Sequence, residues 1–287
     1  MRLIDEETIT QAVIQSFSSC TDDRLRLVMT SLVQHLHAFG REVKLTDAEW
    51  MAAIEFLTET GHITDDKRQE FILLSDTLGL SMLVTALNNR RPKVCTETTV
   101  LGPFYVEDAP LFDNGADISQ GAKGVPCWIK GQVCDIDGHP IAAANMDIWQ
   151  SDESGLYDVQ YVDHPAPQAR ARLQTSSSGH FHFRSVVATA YPIPHDGPVG
   201  KMLKSTGRHP WRPAHIHFLI EAPGFERLIT QVFRSDDKYL SSDAVFGVRQ
   251  TLVADWIHHS PGVTPDGSNC STPFYTLDYD FVLNRSL

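Results

Sequence analysis

Arg212-Pro213-Ala214-His215-Ile216-His217-Phe218-Leu219-Ile220 decides how the chain is read. Its apolar residues call for burial, and its two imidazoles stand at i and i+2. On a strand that spacing turns both rings to one face, while Ile216 and Phe218 turn to the other. Two imidazoles side by side crowd each other and repel when both are charged; a shared metal ion removes the difficulty, because neutral imidazole is its commonest protein ligand. The approach, His209-Pro210-Trp211-Arg212-Pro213, is stiffened by two prolines and carries an indole and a guanidinium, a composition suited to a pre-organised site. The run predicts a β-protein with half of a coordination sphere on one strand.

Two other histidine pairs share the spacing. His35-Leu36-His37 lies in a helical stretch, where i and i+2 do not share a face. His180-Phe181-His182-Phe183 reads as a strand, but Phe181 and Phe183 claim the core and leave both histidines to solvent. Neither pair is expected to bind metal.

Composition sets bounds. With 287 residues the chain can bury a large core in one or two domains. A balance of 24 basic and 36 acidic residues, net −12, argues against nucleic acid or anionic lipid as the main partner. No apolar run approaches the roughly 20 residues that span a bilayer. The start, Met1-Arg2-Leu3-Ile4-Asp5-Glu6-Glu7, has no signal-peptide core. Five cysteines without a C-x-x-C point to reduced thiols in a cytoplasmic globular protein. Cys95, Cys127, Cys134 and Cys270 read as small core or boundary residues, and Cys20 as a helix end.

Periodicity divides the chain. Residues 5 to about 90 are helical in pattern. Ile9, Val13 and Phe17 recur every four residues. Leu25, Val28, Met29, Leu32, Val33 and Leu36 form a broad apolar face behind N-caps at Thr21 or Asp22. Thr46-Asp47-Ala48-Glu49 opens another helix in capping-box form, ended by Gly61. A longer helix is expected from about Asp66 to Asn89, stopped by Asn88-Asn89-Arg90-Arg91-Pro92. Such a helical layer could serve as a lid, a lipid-binding face or a dimer interface; dimerisation is the favoured reading. From about Val94 short strands alternate with turns: Trp128–Val133, Met146–Trp149, His180–Val187, His215–Ile220, Leu228–Phe233 and Phe281–Leu283. Asp108 to Val125 reads as a long surface loop. No phosphate-binding glycine loop and no Gly-x-Ser-x-Gly elbow is present. The expected architecture is mainly β: an antiparallel sandwich carrying the site over 96–287, after a helical dimerisation domain over 1–95.

Four motifs occur in order: Leu101-Gly102-Pro103-Phe104-Tyr105-Val106; Trp149-Gln150-Ser151-Asp152 leading to Gly155-Leu156-Tyr157-Asp158; Ala190-Tyr191-Pro192-Ile193-Pro194; and the Arg212–His217 run. Together they resemble the intradiol ring-cleaving dioxygenases, the catechol 1,2-dioxygenase family, over nearly the whole chain. The resemblance implies one non-haem Fe(III) per subunit. Tyr157, Tyr191, His215 and His217 match the family's ligand positions, Tyr157 and His215 equatorial, Tyr191 and His217 axial. Outside that context each tyrosine would read as a packing or hydrogen-bonded rim residue. Free tyrosine titrates near about 10, but a trivalent cation would hold both phenols ionised, and hard phenolate oxygens favour the ferric state. His164 and His195, near the two tyrosines, are expected to be loop residues. The resemblance further implies that Tyr191 takes up a substrate proton, that Arg212 stabilises charge on the opening ring, and that Gln231 orients the substrate. It also implies a homodimer through the N-terminal helices around bound phospholipid.

Within the family, Tyr191-Pro192-Ile193-Pro194 followed by Asp196-Gly197-Pro198-Val199-Gly200, and Leu73-Leu74-Ser75-Asp76-Thr77-Leu78-Gly79-Leu80, look like the hydroxyquinol-cleaving branch. Leu73 and Asp76 share one helix face. Asp76 could accept a hydrogen bond from the third hydroxyl of hydroxyquinol, or make only local helix contacts. Leu73, Val100, Leu101, Gly102, Pro103, Phe104, Ile193 and Pro194 would form the rest of the pocket wall, with Arg212. Catechol and chlorocatechol are alternative substrates. A transthyretin-like binding module, suggested by Gly131-Gln132-Val133 and Asp137-Gly138-His139-Pro140-Ile141, would need none of the four ligands. A zinc or iron hydrolase would have no use for two tyrosines and would more naturally offer a carboxylate.

Overall fold

In the computed structural model, which describes residues 4–163 and 166–286, helices come first and strands follow. His164 lies outside the described residues. The chain forms two compact units, one ending at His62 and the other beginning at Ile63. The first holds α1 (Ile9–Ser16), α2 (Asp23–Val43) and most of α3 (Asp47–Ile63). Of the two candidate caps for α2, Asp22 serves: its carboxylate accepts the Leu25 N–H at 2.9 Å. α3 starts on the expected capping box, with Glu49 accepting the Thr46 N–H at 2.9 Å and Thr46 Oγ1 accepting the Glu49 N–H at 3.3 Å. It runs on to Ile63, because one interior glycine costs a helix only about 1 kcal/mol. His37 Nδ1 faces the Thr10 hydroxyl at 3.0 Å. Leu25, Val28, Leu32, Leu36, Phe39 and Val43 leave an exposed apolar stripe along α2.

In the second unit the single helix expected from Asp66 to Asn89 is broken. α4 (Glu70–Thr77) and α5 (Leu80–Asn88) meet at 79°. Between them Gly79 sits at φ 77, a left-handed conformation that glycine takes without a Cβ clash. The apolar periodicity runs through this break, which is why the pattern reads as one helix.

The strands are β1 (Pro126–Asp135), β2 (Asn145–Gln150), β3 (Arg170–Gln174), β4 (His180–Val186) and β5 (Tyr191–Pro192), then helix α6 (Pro198–Ser205). After it come β6 (Trp211–Arg212), β7 (His215–Glu221), β8 (Leu228–Arg234), β9 (Val253–Ala254), β10 (Trp256–His259), β11 (Gly262–Val263), β12 (Asn269–Cys270), β13 (Phe274–Asp278) and β14 (Phe281–Leu283). One sheet has the order β3-β2-β7-β8-β9, antiparallel except for the parallel β8–β9 pair. In the other, β10-β13-β1-β14 with β4 also on β1, strand β1 is antiparallel to β4 but parallel to β13 and β14. The sheets are therefore mixed, and the purely antiparallel expectation is corrected. Turn residues specify local hairpins, whereas the C-terminal strands return to β1 from far along the chain and carry no local signal of direction. Gly131 marks that junction: a Cβ there would lie 1.8 Å from the Tyr279 carbonyl oxygen.

Inward residues of both sheets share one apolar core, including Ile129, Phe181 and Phe281 from one and Ile148, Ile216 and Phe218 from the other. His180 and His182 are exposed and Phe181 and Phe183 buried, as the alternation requires. Residues 108–125 form no strand, yet they do not simply ride on the surface: Leu111 and Asp117 bridge to Arg172 and Arg184, and Ile118 is fully buried. All five cysteines are free thiols, with Cys95 and Cys127 buried. Among the described residues no single helix is long and apolar enough to cross a membrane.

Candidate active site

Strand β7 delivers His215 and His217 to one face, and its neighbours frame them. Trp149 on β2 and Gln231 on β8 lie in register with His217. The Trp149 indole stacks on that imidazole at 4.6 Å and 11°. Tyr191 comes from β5 and pairs across a hairpin with Arg212 on β6, so α6 is the connection of that hairpin. Tyr157 heads a short turn. Its N–H donates to the Gln160 side chain at 2.9 Å, and the following Asp158 grips Arg170 through contacts of 2.8 and 2.6 Å.

The four expected ligands converge. Tyr157 Oη lies 3.4 Å from His215 Nε2, which lies 3.1 Å from His217 Nε2. The two tyrosine rings meet edge to face at 5.4 Å. All four residues are buried. His215 Nδ1 is 2.7 Å from the Pro213 carbonyl, so it carries the proton and Nε2 presents a lone pair. Burial, then the Arg212 guanidinium, push His215 down to about 3. Burial, then His215 and Arg212, push His217 well below the usual range. Both rings are neutral donors near pH 7. Burial and the neighbouring Tyr191 push the Tyr157 phenol well above its usual value, so its phenolate form needs a strong local positive charge.

The His217 Nδ1 atom is buried with no hydrogen-bond partner. Two Nε2 atoms this close in the absence of an acid, with two phenol oxygens beside them, are the donor set of a hard, highly charged cation. The residues fit a ferric ion. A second cluster, Asp135, Asp137 and His139, is structural: Asp135 accepts the Asp137 and His139 N–H groups at 2.9 Å each and pairs with Arg285 at 2.6 Å.

Arg212 is fully enclosed. Nε donates to Asp243 Oδ1 at 3.0 Å, and Nη2 to Asp243 Oδ2 at 3.2 Å and Gln231 Oε1 at 2.8 Å. Nη1 lies 3.4 Å from His215 Nε2. The Gln231 amide donates in turn to the Val100 carbonyl at 3.1 Å. Burial pushes the Asp243 carboxyl up, but Arg212 outweighs it and holds the group ionised.

Of the expected wall, Leu73, Leu101, Phe104 and Ile193 pack in one apolar cluster with Trp149, Tyr157 and Tyr191. Phe104 stacks on Tyr157 at 4.4 Å. Gly102, at φ 78, passes so close to His217 that a Cβ would lie 3.2 Å from its Cε1. Pro103 and Pro194 are exposed. Asp76 is half-buried on α4; burial raises its carboxyl, the Ser81 hydroxyl and Arg212 lower it, and Asp243 raises it. His195 is exposed in its loop and contacts the Ile193 carbonyl at 3.0 Å, as expected of a non-ligand. Asp243, Trp149 and the Asp158–Arg170 pair were not singled out by sequence. Trp149 and Asp158 stand inside the quoted motifs, whereas nothing around Asp243 distinguishes it.

The chain is similar to known proteins along nearly its whole length. The family described as Dioxygenase matches residues 100–285, and Catechol dioxygenase N terminus matches residues 22–96. A 6-chlorohydroxyquinol 1,2-dioxygenase of Cupriavidus pinatubonensis is 54% identical over 287 residues, covering 100% of both chains. A hydroxyquinol 1,2-dioxygenase of Nocardioides simplex is 47% identical, covering 97% of this chain and 95% of its own. The crystal structure of hydroxyquinol 1,2-dioxygenase from Pseudomonas putida superposes with a TM-score of 0.93 at 44% identity, over 98% and 99% of the two chains. A binding module or a hydrolase is thereby set aside: the chain belongs to the catechol dioxygenase family of intradiol ring-cleavage dioxygenases.

Proposed function

We propose that the substrate is hydroxyquinol (benzene-1,2,4-triol), opened between its two adjacent hydroxyl-bearing carbons with both atoms of O2. The product is 3-hydroxy-cis,cis-muconate, the enol form of maleylacetate. The observation that carries this reading is the buried convergence of Tyr157, Tyr191, His215 and His217 beside Arg212. The relatives named for hydroxyquinol and 6-chlorohydroxyquinol support the choice of a triol.

Members of this family generally depend on non-haem iron. In this reading one Fe(III) per subunit is held by Tyr157, Tyr191, His215 and His217, and when bound it supplies the acidity that ionises phenols and the paired substrate hydroxyls. The residues do the rest. Tyr191 Oη takes up a substrate proton. Arg212 offers a fixed positive charge to the ring oxygen on which negative charge develops. Gln231 accepts from that guanidinium through Oε1 and donates to the Val100 carbonyl through Nε2, and so orients itself and Arg212 toward the ring. Leu73, Val100, Leu101, Gly102, Phe104 and Ile193 wall the ring and limit water, with the exposed Pro103 and Pro194 at the rim. Asp76 accepts a hydrogen bond from the third hydroxyl beside that of Ser81, and a substrate lacking it would leave that added bond unmade.

The α2 stripe supports a homodimer through the N-terminal helices over a domain of about residues 1–95, with phospholipid filling the contact; free thiols support a reducing cytoplasm. The 54% relative favours a second reading, a chlorinated triol, decided by comparing kcat/KM for the two triols. The test of the whole proposal is a visible spectrum. A tyrosinate-to-ferric band should shift on anaerobic addition of hydroxyquinol and decay toward product when air enters, with one O2 consumed per ring. A protein that stays colourless after ferric loading would overturn the ligand assignment.

A further inference from the structure

Arg212 pairs directly with Asp243, and a second carboxylate, Asp76, stands on the helix that Arg208 ties to the Asp243 loop. In a buried site a guanidinium pairs with whichever carboxylate reaches it, and an unpaired charge is strongly unfavourable. Asp243 is built to win that competition. It meets Arg212 through both oxygens, at 3.0 and 3.2 Å, and is itself fixed by the Gly247 N–H at 2.9 Å and the Val245 N–H at 3.3 Å. The loop presses on the guanidinium from behind, since a Cβ at Gly247 would lie 2.7 Å from Arg212 Nη2. A second arginine sets the spacing of the two acids. Arg208 donates to the Ala244 carbonyl at 2.9 Å and to the Thr77 carbonyl at 2.6 Å, tying the Asp243 loop to the end of α4, where Asp76 stands. The field of all three groups overlaps: the Asp76 carboxyl, raised first by burial, also responds to Arg212 and to Asp243.

We propose that Asp243 is a positioning residue for substrate choice: it holds Arg212 beside His215 and away from Asp76, which leaves the Asp76 carboxylate to the substrate's third hydroxyl. This rests on the reading of Asp76 and Arg212 given above. Without the Asp243 charge, Arg212 turns to Asp76. The triol then loses both its ring cation and its hydroxyl acceptor, whereas catechol loses only the first.

The test uses iron-loaded full-length protein and compares hydroxyquinol with catechol. Asp243→Asn should lower kcat/KM for both and reduce the triol-to-catechol ratio about tenfold. The anaerobic Kd for the triol, read from the visible band, should rise while that for catechol holds, with iron content unchanged. The Asp76→Asn/Asp243→Asn double variant should show a ratio no lower than Asp76→Asn alone. Equal losses for both substrates in Asp243→Asn, or independent effects that multiply in the double variant, would overturn the proposal. If Asp243→Asn does not fold, Gly247→Ala tests the same point by wedging the guanidinium, and an unchanged ratio there counts against it. An unchanged ratio in Asp76→Asn alone refutes the reading of Asp76 and is distinguishable from failure of Asp243.

Discussion

At the scale of single residues the site works by withholding protons. His215 spends its Nδ1 proton on the Pro213 carbonyl, and burial keeps both imidazoles neutral. Tyr157 is so deeply enclosed that its phenol resists ionisation until positive charge arrives. Tyr191 lies at the other edge of this group, on a two-residue strand. Tyr191→Phe should retain iron, lose much of the visible band and lower kcat at least about a hundredfold; full turnover would remove Tyr191 from proton transfer. Acid stability is set elsewhere. Burial pushes the Asp135 carboxyl up, but the His139 and Asp137 N–H groups and Arg285 outweigh it and hold it at about 2, against an ordinary 3.8. Its contribution is present above the unfolded value and is lost as pH falls through the folded one. Urea midpoints at pH 7 and pH 3 should differ less in Asp135→Asn than in the parent protein.

At the scale of elements, α4 and α6 meet although α4 stands far upstream in the chain and α6 lies between β5 and β6. The buried Glu70 accepts the Val199 N–H of α6 at 3.1 Å and the Arg68 Nε–H at 3.0 Å, while Arg208 grips the other end of α4. The turn at Gly79 aims that helix. Gly79→Ala forces a side chain into the left-handed region and should cost about 1 kcal/mol or more, read as a lower urea midpoint together with a smaller triol-to-catechol ratio. How much of this was legible follows from what each residue signals. The His215–His217 strand and the core alternation of Phe181 and Phe183 announce themselves, because period and burial are local properties. The parallel return of β13 and β14 does not, and neither does the break at Gly79, where apolar residues continue on both sides. Asp243 is the clearest omission. Its role depends on a guanidinium 31 positions away, and a lone acid in Ser241-Ser242-Asp243-Ala244 looks like any turn residue.

At the scale of the whole molecule, charge and apolar surface are separated. A net charge of −12 accompanies an α2 helix whose exposed face is leucine, valine and phenylalanine, a patch of the kind that marks contact with another apolar surface. On the proposed homodimer, Leu32→Glu should convert dimer to monomer in light scattering while the visible band persists; an unchanged mass would exclude α2 from the interface. On the proposed ferric site, chelation of iron should lower the melting temperature, since a ligand that binds only the folded form stabilises it by mass action. The short span of α4 has a consequence for how such an enzyme diversifies. The two histidines stand on a core strand and Tyr191 opposite Arg212 on a hairpin, whereas Leu73 and Asp76 stand on an eight-residue helix bounded by Glu70 and Gly79. On the proposed reading, substitutions confined to that helix would redraw the set of acceptable rings while the reactive chemistry is inherited intact, so substrate range and catalytic competence would be free to drift on separate clocks.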